Sequence, residues 1–199
     1  VQNDRFVFEF QIVPHTNNYT TTFYKIKYYF ANLGYSRKFL YYNVIKFGEN
    51  FMQKPFFYDI TLRDGNQSLK KPWNIEEKLY IFNLLKELGV QAVEAGFPAA
   101  SEMDFESVQK ISEIAPDNII ISALARCVKS DIQRAYEAIK SAPKKRIHTF
   151  ITLSPFHMEY VLKKSPEEVR ACAIEGVKFA KEIIGDGEVQ FSVEHFGDC

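Results

Sequence analysis

The chain has 199 residues, enough for one domain of ordinary size, and its 25 Lys and Arg are matched by 25 Asp and Glu. A formal charge of zero leaves no basic footprint for nucleic acid or an anionic membrane surface. No apolar run is long enough to cross a bilayer and no leader pattern opens the chain, so the reading expects a soluble, cytoplasmic protein without membrane or nucleic-acid partners.

Cys127, Cys172 and Cys199 are odd in number and form no C-x-x-C, which argues against a disulfide framework or a zinc knot. They read as reduced thiols that pack as small apolar residues.

Composition breaks near residue 52. Of 30 aromatic residues, 15 lie in residues 1–51, beside only three acids, Asp4, Glu9 and Glu49. That aromatic-rich extension carries no capped helix and no suggestive polar constellation. The first methionine is Met52, immediately before the first convincing strand. Residues 1–51 are therefore expected to be upstream sequence read through from an over-extended start, the alternative being an authentic extension that packs on the barrel, and residues 52–199 to form a partial barrel domain.

From Met52 the chain is regular. Phe56–Leu62 reads as a strand. A helix follows over Ile75–Leu88, with Asn74 as N-cap, Glu77 at the third position of a capping box and Gly89 as the stop. Its apolar residues Ile75, Leu79, Phe82, Leu85 and Leu88 are expected to form the buried face. Ala92–Phe97 is the second strand, and a helix capped by Ser101 runs over Glu102–Ile114 to Pro116. The apolar run of Ile119–Leu124 suits a strand buried on both faces. A helix capped by Ser130 then ends before Pro143. Ile147–Leu153 is the fourth strand, and the next helix starts with Ser165 as cap and Pro166 at its first position. Val189–Val193 is the fifth strand. The βαβαβαβαβ order predicts an α/β fold with a parallel sheet.

Polar or special residues close every strand: Arg63-Asp64-Gly65, then Gly96-Phe97-Pro98, Arg126, Ser154 with His157, and Glu194. Reactive groups at successive strand ends are what the C-terminal face of a (β/α)8 barrel collects. An open nucleotide-binding sheet would concentrate them behind a Gly-rich turn, and neither G-x-G-x-x-G nor G-x-x-x-x-G-K-[ST] occurs. The expected fold is thus the N-terminal portion of a (β/α)8 TIM barrel, about five strands and four helices, with two open sheet edges that invite pairing.

Among candidate groups, Asp64 can bind a hard cation while Arg63 faces a developing oxyanion, or the two form a structural pair. Glu94, an acid inside a strand, needs a partner or a ligand. Glu194 stands at the open end, where proton transfer is plausible. His148 points inward with Phe150 and Thr152, more in the manner of a satisfied core residue. Arg126 either holds a carboxylate or makes a rim salt bridge, and His157 and His195 fit loop positions.

In order along the chain, Asp59-Ile-Thr-Leu-Arg-Asp-Gly-Asn-Gln67, Glu94-Ala-Gly-Phe-Pro-Ala-Ala-Ser101 with Asp104-Phe105, Arg146-Ile-His-Thr-Phe150 with Ser154 and His157-Met158, and Phe191-Ser-Val-Glu194 resemble the 2-isopropylmalate synthase family. That group of metal-dependent barrel enzymes also includes homocitrate synthase, citramalate synthase and hydroxymethylglutaryl-CoA lyase. The resemblance runs from about Phe57 to Phe196 and implies an acyltransferase of leucine biosynthesis. Its reaction is a Claisen condensation of acetyl-CoA with 3-methyl-2-oxobutanoate.

The resemblance makes Asp64 the ligand of a divalent cation, Mg2+ or Mn2+ with Zn2+ as a third choice. Arg63 becomes the partner of the keto oxygen and Glu194 the strand-five glutamate at the substrate. His148, Ser192 and Gln67 become substrate-binding residues. Further metal ligands, an H-x-H pair and an asparagine, belong to later strands in that family, and the full-length protein would be a homodimer. The isolated chain is accordingly expected to be inactive. The alternatives are a homocitrate or citramalate synthase, and a non-catalytic half-barrel kept as a remnant or interaction module.

Overall fold

The computed structural model describes residues 55–198, so the expectations for residues 1–51 lie outside the described residues. Five strands form one sheet: β1 (Tyr58–Asp59), β2 (Ala92–Gly96), β3 (Ile120–Arg126), β4 (Lys144–Thr152) and β5 (Glu188–Glu194). They pair in the order β1-β2-β3-β4-β5, every neighbour parallel. A doubly wound sheet reverses its strand order at a switch point, whereas a barrel wall adds strands in sequence. The order observed is that of a barrel wall, as expected.

Between the strands run α1 (Ile75–Leu88), α2 (Glu102–Glu113), α3 (Lys129–Ile139), the short α4 (Pro155–His157) and α5 (Pro166–Ile184). The caps fall largely where the sequence puts them. Asn74 and Glu77 bond reciprocally at 2.9 and 2.8 Å, and Gly89 ends α1 in the left-handed region at φ 75°. Ser165 and Glu168 repeat the box at α5, and Ser101 caps α2. At α3 the expectation fails. The helix begins at Lys129 with Val128 as N-cap, and Ser130 lies inside its first turn. Arg126 at the end of β3 binds Asp131 through two contacts, 2.6 and 3.2 Å, which draws the helix start back toward the strand.

A second correction concerns the buried face of α1. It runs through Lys78, Phe82 and Leu85, while Leu88 is exposed. Steps of three residues lose about 60° each on a helix of 3.6 residues per turn, so the row from Leu79 to Leu88 winds off the core.

The main core lies between the sheet and its helices. Val93 and Ala95 of β2, Ile121, Ala123 and Ala125 of β3, and Ile147 of β4 pack there with Phe82, Val108, Ile111, Ile132 and Ile139. The alternate residues line the inner side, where Tyr58, Ala92 and Ile120 make a small apolar floor below the polar Glu94, Ser122 and His148. Gly96 has a steric role, because a Cβ there would stand 2.8 Å from Val108 Cγ2 as α2 crosses the strand. The register with β3 slips between Glu94 and Gly96, a local break in the ladder at the strand end.

The first strand is shorter than expected, two residues instead of Phe56–Leu62. The buried Asp59 carboxylate accepts from Thr61 N and Thr61 Oγ1, both at 3.0 Å, and this local turn competes with the ladder. The chain then winds through a wide turn over Thr61–Gly65, where the N–H groups of Arg63, Asp64 and Gly65 all approach the Ile60 carbonyl.

Two stability predictions follow from these contacts. Lys78, wholly buried on α1, meets Asp104 of α2 at 2.7 Å. Asp104→Ala strands that ammonium and should cost about 3–5 kcal/mol, whereas adding Lys78→Met should recover most of the loss. Urea midpoints of both variants check this, and a double variant no better than the single one would refute it.

Burial pushes the Asp59 carboxyl from 3.8 up to about 6 despite the two bonds from Thr61. A carboxyl raised in this way favours folding below its unfolded pKa, and that contribution is lost as pH rises through about 6. An Asn at this position keeps an acceptor for Thr61 N and donates to the hydroxyl. Asp59→Asn should therefore match the parent near pH 4 and exceed it by at most about 3 kcal/mol at pH 8. The comparison is read from urea unfolding at the two pH values, and a pH-independent difference would contradict it.

Candidate active site

The inner side of the sheet is organised around one acid. Glu94, in the middle of β2, has no solvent exposure, and an isolated carboxylate there would be prohibitively costly. Three donors from three other elements meet it. Arg63 Nε, from the turn after β1, donates to Oε2 at 2.6 Å. The Tyr58 hydroxyl of β1 donates to Oε1 at 2.9 Å and shares a 3.0 Å bond with Ser122 Oγ of β3. His148 Nδ1 of β4 lies 2.5 Å from Oε1.

These contacts set the charges. Burial alone would raise the Glu94 carboxyl, but the His148 hydrogen bond and the charge and hydrogen bond of Arg63 outweigh it and hold it below its usual value. Burial likewise opposes the Arg63 charge, yet Glu94 and Asp64 raise its pKa further. Burial and the Glu94 charge push Tyr58 well above the usual phenol value, so its hydroxyl is a fixed donor. Beneath it the Arg146 guanidinium lies 5.3 Å from the Tyr58 ring centroid and reaches out to Glu188 at 2.5 Å.

The network extends in two directions. Arg63 NH1 contacts Asp64 Oδ1 at 2.5 Å, with the Asp64 side chain 60% exposed. On the other side His148 Nε2 stands 2.6 Å from Ser192 Oγ of β5. Above the network opens a cavity of about 400 Å3, within the usual range for small-molecule sites. Arg63, Asp64, Gln67, His148, Ser192 and Glu194 all border it, together with Phe97, Leu124, Phe150 and Val193. The six side chains singled out in the sequence thus share one space, although they come from three separate segments.

Other candidates lie elsewhere. Arg126 makes the rim pair with Asp131 and does not line the cavity. His157 and His195 stack on each other, ring centroids 4.1 Å apart and planes 17° from parallel. Sequence reasoning left Glu94 undecided and passed over Tyr58. Their inward alternation on neighbouring strands was the available signal, but it says nothing about which atoms meet.

A divalent ion finds only a partial seat. No group of three or more His, Cys, Asp or Glu that could hold one occurs among the described residues. Hard cations take six or more oxygen ligands, and Asp64 supplies at most two. These residues therefore do not fit such an ion by themselves.

The HMGL-like family model matches residues 54–199. The chain is 50% identical over 145 residues to 2-isopropylmalate synthase 2 of Leptospira interrogans serogroup Icterohaemorrhagiae serovar Lai, covering 72% of this chain and 34% of that enzyme. It is 48% identical over 143 residues to the 2-isopropylmalate synthase of Pyrococcus abyssi, covering 72% of this chain and 29% of the relative. It therefore spans about a third of the length of these relatives. The crystal structure of the Bacillus subtilis HMG-CoA lyase superposes with a TM-score of 0.54 at 17% identity, over 66% of this chain and 44% of the other, a likeness of fold alone. With its sequential parallel strands and a family match across the described sheet, the chain is a member of the HMGL-like family.

Proposed function

We propose that the chain is the first part of the barrel of a 2-isopropylmalate synthase-type acyltransferase, which joins acetyl-CoA to 3-methyl-2-oxobutanoate in leucine biosynthesis. The observation that carries this reading is the near 50% identity to enzymes of that name. The shared border of the predicted side chains on one cavity supports it.

In this reading Arg63 opposes the charge that gathers on the keto oxygen during carbon–carbon bond formation. Glu94 serves it as a positioning residue, holding the guanidinium through Nε so that the group is oriented before substrate arrives. His148, Ser192 and Gln67 bind the oxo acid, and Phe97, Leu124 and Phe150 offer apolar surface suited to a branched side chain. Glu194, at the exposed end of β5, handles the proton removed from the acyl methyl group. Asp64 would contribute one ligand to the divalent cation, the others coming from further barrel strands, and the assembled enzyme would be a homodimer.

The test is a chimera in which residues 55–198 replace the matching segment of the Leptospira enzyme. It should release CoA from acetyl-CoA with 3-methyl-2-oxobutanoate faster than with 2-oxoglutarate or pyruvate, and Arg63→Ala should lower kcat by about 10²–10³. A folded chimera that prefers another oxo acid would overturn the assignment. The 199-residue chain alone should release no CoA above background under the same conditions, because one candidate ligand does not make a metal site.

A further inference from the structure

The hydrogen bonds on the inner sheet contain a second, complete chemical unit. Ser192 Oγ lies 2.6 Å from His148 Nε2, and His148 Nδ1 lies 2.5 Å from Glu94 Oε1. Hydroxyl, imidazole and carboxylate stand in line, one on each ring nitrogen, which is the arrangement that activates a serine as a nucleophile. We propose that Ser192, His148 and Glu94 form a nucleophilic relay, and that the cavity they border hydrolyses small activated esters and thioesters through an acyl-Ser192 intermediate.

The protonation pattern follows from the partners. Glu94 receives donors from Tyr58 and Arg63 and is held as a carboxylate, so its contact with His148 requires the proton on Nδ1. In a neutral imidazole the opposite nitrogen is then an acceptor, and Nε2 faces the Ser192 hydroxyl. The Gln190 amide approaches the same nitrogen only at 3.5 Å, too long to compete with the serine. His148 and Ser192 both border the cavity, as does Arg63, whose positive charge suits the oxyanion of an attacked carbonyl. Glu94 is enclosed and touches no bound molecule, so within the relay it is a positioning residue that fixes the tautomer of His148.

In the first half-reaction Ser192 Oγ forms a bond to the acyl carbon and its proton moves to His148 Nε2. The carbon–sulfur or carbon–oxygen bond to the leaving group breaks, and that group departs with the proton from Nε2. Water then adds to the acyl-Ser192 ester, His148 takes and returns its proton, and the free acid leaves with Ser192 restored. No ion or redox partner enters this balance. The relay shares His148 and Ser192 with the proposed oxo-acid site but needs neither the oxo acid nor a cation, and it lies wholly within the described residues.

The 199-residue chain is the material for the test, in buffer containing EDTA. Incubation with diisopropyl fluorophosphate should add one phosphoryl group with loss of HF, placed on Ser192 by peptide mass spectrometry. p-Nitrophenyl acetate and S-phenyl thioacetate should be hydrolysed at rates that fall by about 10² or more in Ser192→Ala and His148→Ala. Added imidazole should restore labelling and part of the rate in His148→Ala, which a purely structural histidine would not allow. Circular dichroism of each variant checks that it remains folded. Absence of label on Ser192 in the folded parent chain would overturn the proposal whatever the variants do. So would Ser192→Ala hydrolysing as fast as the parent. Neither reagent contains a 2-oxo acid or CoA, so failure here leaves the chimera result untouched, and the reverse also holds.

Discussion

The buried carboxylate of Glu94 is the constraint on which the inner side of this sheet depends. A charge without solvent exposure persists only when donors converge on it, and Tyr58, Arg63 and His148 do so from β1, the turn that follows it and β4. Each donor thereby pins its own element against β2. Removing any of them would leave the buried charge with one donor fewer, a larger penalty than the net worth of the bond itself. The network also keeps the barrel interior polar where an apolar filling would otherwise close it.

Around that acid the backbone departs from regularity twice, and both departures serve the rim. Asp59 ends β1 after two residues by capturing Thr61, so the chain turns early and delivers Arg63 and Asp64 side by side. The register of β2 slips after Glu94, and Gly96 leaves room there for Val108 of α2. The buried carboxyl of Asp59 thus closes β1, and that of Glu94 lies at the centre of β2. The opposite floor of Tyr58, Ala92 and Ile120 is closed and apolar.

The relationships of the chain separate fold from chemistry. A lyase at 17% identity shares the strand arrangement, and enzymes named as 2-isopropylmalate synthases are 48–50% identical over the matched segment. A barrel hosts many reactions, so the side chains at its rim, not its topology, bear on the reaction proposed. Within this rim Asp64 reaches toward solvent, His148 is buried, and the largely covered Arg63 guanidinium lies between Asp64 and the enclosed Glu94. One carboxylate ties Arg63 to His148.

Much of this was legible in the residues themselves. Capping boxes at Asn74 and Ser165, the stop at Gly89 and the alternation of strands with helices are local signals, written in neighbours that touch through a few bonds. They determined the elements, their order, the strand ends at which Arg63, Asp64 and Glu194 would stand and the strands that carry His148 and Ser192. Tertiary structure decided what those ends do to one another. Local pattern places Glu94 on an inward face, but only the parallel register brings β4 and the turn after β1 to its two oxygens. It also moved the start of α3 to Lys129, buried Lys78 and left Leu88, expected on the buried face, exposed. Those outcomes depend on partners far away in the chain, and periodicity carries no record of which distant atom will lie opposite.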